Sequence, residues 1–191
     1  MRSAFAILGL QPRPRISQEE LHDAFLREAV RFHPDTSREK AAAERFQEIQ
    51  AAHQRLQDPV ENLRVFLETH GAPDAFSGGL AQLPEDLLRL FTRASPLRET
   101  WDALHARLAS AQTGLARALL ERELAAWRLE AAPVIRELEE AWDARQRVIL
   151  FWEEGPEKAD FTPLYGVLRD LKFLQKWRAF LLPNSAANQT L

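Results

Sequence analysis

Phe25-Leu26-Arg27-Glu28-Ala29-Val30-Arg31-Phe32-His33-Pro34-Asp35 is the stretch on which the reading of this chain turns. Placed on a helical wheel, Leu21, Phe25, Ala29 and Phe32 fall in one apolar arc. Arg27 and Arg31, four residues apart, lie side by side on another. The helix has to stop at His33, because the residue before a proline disfavours the helical region. Its start is equally marked. Ser17-Gln18-Glu19-Glu20 reads as a capping box, with Ile16 and Leu21 placed to staple across it.

Working outward, a third helix is expected from about Arg38 to Gln57, with a matching arc of Phe46, Ile49 and Leu56. Two such helices pack antiparallel and leave His33-Pro34-Asp35 at the exposed tip of a hairpin, with two arginines leading up to it. Asp58-Pro59 opens a fourth helix as N-cap and first-turn proline. His70-Gly71 closes it, glycine being suited to the left-handed cap. Before the hairpin lie a short helix, roughly Ser3 to Leu8, and the stiff connector Gln11-Pro12-Arg13-Pro14-Arg15.

Pro73, Gly78 and Gly79 mark a linker, which gives the expected organisation: residues 1–72, a linker over 73–84, a helical bundle over 85–182 and a frayed polar tail over 183–191. In the bundle the period predicts three long helices. The first, about Glu85 to Ala109, is interrupted at Ser95-Pro96. The second, about Thr113 to Glu153, is kinked or split by Pro133. The third runs from about Pro163 to Leu182, beyond the break at Gly155-Pro156. No stretch alternates as a strand does, so the fold class is all-α.

Composition narrows the function. With 191 residues, 46% hydrophobic and 28% charged, the chain is an ordinary globular one. Its net charge of −3 offers no broad cationic surface for nucleic acid or anionic lipid. No run of about eighteen apolar residues indicates a membrane span. The segment before Gly9 is too poor in apolar residues for a signal peptide. The absence of cysteine excludes disulfides, thiolate metal sites and cysteine nucleophiles. A cytoplasmic location is the default expectation. The five histidines are scattered without ligand spacing, so no metal and no cofactor are expected. No nucleophile–base constellation is present, so the chain is not read as an enzyme. Gly78-Gly79 lacks the strand and helix of a phosphate cradle. Glu139-Glu140 and Glu153-Glu154 read as solvated faces.

The segment from Phe25 to Asp35 resembles the second helix and His-Pro-Asp loop of J-domains. Phe46, Ile49, Ala52, Leu56 and Asp58-Pro59 resemble the ending of that family's third helix. The resemblance implies a co-chaperone. His33, Pro34, Asp35, Arg27 and Arg31 would meet an ATP-bound DnaK- or HscA-type chaperone where its nucleotide-binding domain, interdomain linker and substrate domain join. Contact there would favour the hydrolysis-competent state. The residue types suit such a role. Arginines offer long reach and bidentate bonds to acidic groups. The proline pre-forms the loop, so less entropy is lost on docking. Three positions depart from the family pattern: Thr36 stands where lysine is common, Glu28 replaces an apolar residue in the arc, and His53 replaces an aromatic. His53 is expected to be packed and hydrogen-bonded, and Glu28 to sit at an edge or pair with an arginine.

Three further segments resemble one subfamily, the HscB co-chaperones of iron–sulfur cluster assembly. They are Phe5-Ala6-Ile7-Leu8-Gly9-Leu10, the run from Leu56 to Gly71, and the run from Val167 to Trp177. The resemblance implies a three-helix C-terminal bundle that binds the cluster scaffold protein and presents it to the chaperone. The scaffold surface would comprise Leu87, Leu88, Phe91 and Phe173, although at least two of Leu87, Leu88, Leu90 and Phe91 are needed for the core. Arg89 and Arg93 stand where the subfamily has acids, and the segment from Leu97 to Glu153 is longer than its pattern. The five tryptophans, all beyond the linker, are read mainly as core. Two alternatives stay open: a J-protein whose bundle recruits another client, and a J-like interaction module that activates no chaperone.

Overall fold

The computed structural model describes residues 2–32, 40–71, 83–155 and 160–181. Among these residues every regular element is an α-helix: α1 (Ala4–Ile7), α2 (Gln18–Arg31), α3 (Lys40–Gln57), α4 (Pro59–Thr69), α5 (Glu85–Ser110), α6 (Gly114–Glu154) and α7 (Thr162–Leu181). The all-α expectation holds. The linker residues 73–82, Pro156 and the tail over 183–191 lie outside the described residues. The chain divides into two compact units. One comprises Met1–Ser77 and Ile149–Leu168; the other comprises Gly78–Val148 and Arg169–Leu191.

In the first unit the local punctuation does what the sequence demands. Ser3 Oγ accepts from Ala6 N, and Ser17 Oγ accepts from Glu20 N at 3.0 Å. Asp58 Oδ1 accepts from Val60 N and Glu61 N, with Pro59 in the first turn where its missing N–H is harmless. Gly9 and Gly71 take positive φ (63° and 73°) just past α1 and α4, a conformation that favours glycine.

Helices α1, α2 and α4 all pack on α3. Ring contacts fix the direction of α2 against α3. Phe25 stacks on His53, while Phe32, at the end of α2, meets Arg45, near the start of α3. The two helices are therefore antiparallel. Phe5, Leu8, Leu21, Ile49 and Leu63, contributed from α1 through α4, are fully enclosed. Burial of this kind is worth about 1.5–3 kcal/mol per large side chain. Residues 149–168 close the first unit against α4: Phe66 touches the rings of Trp152 and Phe161, and His70 also packs on Phe161.

One tether in this unit carries no sequence signature. Asn62 is buried in α4. With its amide oriented to suit its neighbours, it donates to Arg13 O (3.0 Å) and accepts from Ile16 N (3.2 Å). It thereby holds the proline-bearing connector at the point where it enters α2.

The second unit is an up-down-up three-helix arrangement. Arg107–Glu123, Trp101–Trp127 and Arg93–Glu137 pair α5 antiparallel with α6. Arg178–Glu139 and Arg145–Asp170 pair α6 antiparallel with α7. Leu87, Trp101, Trp127, Leu138 and Leu174 lie in its core. The interruption expected at Pro96 is corrected here, and of the kink or split expected at Pro133 the split is excluded. Pro96 does not interrupt α5, and Pro133 does not split α6, which runs as one helix of 41 residues. Both prolines sit on the exposed side, while Leu97, Trp101, Ala131 and Val134 are anchored in the core around them. Packing of the apolar face outweighs the loss of one backbone donor at each site.

Candidate functional site: a helix with paired arginines

The site is built from α2 upward. Glu19 and Glu20 occupy its first turn and Arg31 its last, so charge follows the helix dipole at both ends. Arg27 and Arg31 both project to solvent. Among the described residues Arg27 makes no ion pair, whereas Arg31 Nη1 bonds Glu28 Oε1 at 3.0 Å. This pair accounts for the departure at Glu28. Its side chain is only 12% exposed, and the arginine supplies the counter-charge that a carboxylate in an apolar arc requires. Phe32 lies beneath two guanidinium groups, Arg31 at 5.5 Å and Arg45 at 5.8 Å from its ring centre. These contacts order the end of α2. Leu26 and Val30 are exposed beside the arginines, so this face alternates apolar and cationic groups.

His53 is packed as expected, its ring 4.4 Å from that of Phe25, but among the described residues its side chain makes no hydrogen bond. Burial, and then the neighbouring His22, push its pKa below the ordinary histidine value. It is thus a neutral packing residue at pH 7. His33, Pro34 and Asp35, as well as Thr36, lie outside the described residues. Of the five chaperone-facing candidates, the structure brings Arg27 and Arg31 together on one helix face.

In the second unit the four scaffold-binding candidates separate. Leu87 is fully enclosed and serves the core, which removes it from any surface. Leu88 is exposed on the next position. Phe91 and Phe173 come together, ring centres 6.3 Å apart, and both pack against Trp177, at 5.4 and 6.3 Å. Trp177, itself buried in the core, therefore backs the half-buried pair Phe91 and Phe173; its place in the quoted last-helix segment was the only signal for it. The two arginines standing in place of acids are both paired, Arg89 with Glu85 and Arg93 with Glu137.

Sequence reading also missed a partly buried ionic cluster. Arg145 bridges Asp86 (2.8 Å) and Asp170 (3.2 Å), and Arg169 adds a second contact to Asp170 at 2.9 Å. It ties α5, α6 and α7 together. Single charged residues spread over three helices leave no local pattern to find. Among the described residues no group of three or more His, Asp or Glu could hold a metal ion. Among the same residues no helix is long and apolar enough to cross a membrane.

Comparison with known proteins agrees with this geometry. Residues 3–64 match the DnaJ domain family. Chaperone protein DnaJ of Bacillus mycoides is 33% identical over 78 residues, 41% of this chain and 21% of the relative. Chaperone protein DnaJ 2 of Thermus thermophilus is 41% identical over 71 residues, 37% of this chain and 24% of the relative. The human DnaJ homolog subfamily C member 21 is 37% identical over 97 residues, 48% of this chain and 18% of the relative. The matched region thus spans about a fifth to a quarter of each of these relatives. No solved structure gives a significant match. Caps, antiparallel hairpin, paired arginines and family match coincide on the same residues: the N-terminal part of this chain is a DnaJ-type J-domain.

Proposed function

We propose that the chain is an HscB-like co-chaperone acting in the cytoplasm, with no bond-breaking chemistry of its own. Its J-domain (residues 1–72) stimulates the ATPase of a DnaK- or HscA-type chaperone through His33, Pro34, Asp35, Arg27 and Arg31. Its bundle (residues 85–182) delivers an iron–sulfur scaffold protein. The observation that supports this most is the solvent-facing pair Arg27 and Arg31 on the last turns of α2. Differential attraction of that face for one nucleotide state of the chaperone is what activation requires. The half-buried pair Phe91 and Phe173, backed by the buried Trp177 and with Leu88 exposed on the same helix as Phe91, supports the client side. Only surface that is partly open can lose water on binding.

The test is steady-state ATPase of the chaperone with this chain, with and without the scaffold, beside calorimetry of the chain with the scaffold. Micromolar binding, and further stimulation by the scaffold, are expected. Stimulation by the chain with no scaffold binding would favour a second reading, in which the bundle recruits a different client. The length of α6, 41 residues, is the feature that favours that second reading.

A further inference from the structure

The outer face of α6 between Gly114 and Pro133 is apolar and uncovered. Leu115, Leu119 and Leu129 are 74%, 54% and 79% exposed, while Leu120 and Trp127 on the opposite side are buried. Ala118, Ala125 and Ala126 are exposed between the leucines, so another helix could approach closely. Surface leucines scattered singly need no explanation, but a continuous stripe on one helix does. This stripe is about 27 Å long, from the helical rise.

We infer that this face of α6 docks on the same face of a second copy of the chain, antiparallel, about a two-fold axis near the level of Leu124. An isologous contact requires a surface that matches itself after half a turn, and this one does. Leu119 and Leu129 are equidistant from residue 124, as are Leu115 and Pro133. Each leucine therefore meets an apolar residue of the second copy. On one flank, Glu121 and Arg128 lie nearly equidistant from the same point, so each Glu121 faces Arg128 of the other copy in the manner of flanking coiled-coil charges. Both are exposed, and among the described residues neither makes an ion pair, unlike Glu123 on the other flank, which Arg107 already holds. Arg122 is the single charge inside the stripe; opposite it the pairing brings Ala126, whose small side chain leaves room for the arginine stem.

A strip this narrow buries less than a standard interface, so dissociation on the order of ten to a hundred micromolar is expected. Sedimentation velocity of the full chain from low to high micromolar concentration tests it. The expected result is a monomer–dimer equilibrium, lost in Leu129→Glu and strengthened in Arg122→Ala. Glu121→Arg and Arg128→Glu should each weaken the dimer about fivefold or more, and the double exchange should restore it. All these positions are on the exposed face, and circular dichroism verifies that each variant folds. A chain that stays monomeric throughout, a dimer that survives Leu129→Glu, or a double exchange without restoration would each overturn the proposal.

Discussion

The two units hold their helices by different means. In the first, helices are short and each boundary is written in a side chain: Ser17 and Asp58 as caps, Pro59 in a first turn, Gly71 past an end. In the second, α5 begins at Pro84 without a side-chain cap, and two prolines lie inside helices that continue regardless. Local chemistry sets the first; packing between long helices sets the second. The difference decides how much of each could be read from sequence. Local signals are contiguous, so the hairpin and its arginines were legible. Arg145, Asp86 and Asp170 converge from three helices, and Trp177 joins Phe91 only in three dimensions. Asn62 was missed for the same reason, since its partners are backbone groups of a distant connector. The interruption at Pro96 and a split at Pro133 do not occur because the core overrides local propensity.

That contrast can be broken by experiment. The largest effect is expected at Leu138→Ala, a fully enclosed core position of the second unit. It should lose about 2–5 kcal/mol in urea unfolding. Asp170→Ala should come next, at about 3 kcal/mol, because Arg145 would be left largely buried without its partner on α7. If it proves neutral, the ionic cluster does not hold the three helices together. Proline replacement then separates the units. Pro133→Ala should stabilise by up to about 3 kcal/mol, since it restores an interior N–H, whereas Pro59→Ala should change little. Equal responses at the two sites would erase the distinction drawn between them. Asp58→Ala should cost about 1 kcal/mol through the lost cap of α4.

The smallest effect is a pH dependence confined to the first unit. His53 has a lowered pKa in the folded state, so the unfolded chain binds its proton more readily. The associated stability is full above the ordinary value of 6.5 and is lost as pH falls below it. Urea midpoints taken on either side of that value should differ less in His53→Phe than in wild type. An unchanged difference would mean that the ring packed on Phe25 is not a neutral group.

The account rests on activation of a chaperone by the J-domain, and single-turnover ATP hydrolysis by a DnaK-type chaperone measures that step directly. The full chain should accelerate hydrolysis. Asp35→Asn should abolish the acceleration, and Arg27→Ala should raise the concentration needed for half-maximal effect about tenfold, the equivalent of one charge-assisted hydrogen bond. Equal acceleration by wild type and Asp35→Asn would contradict it.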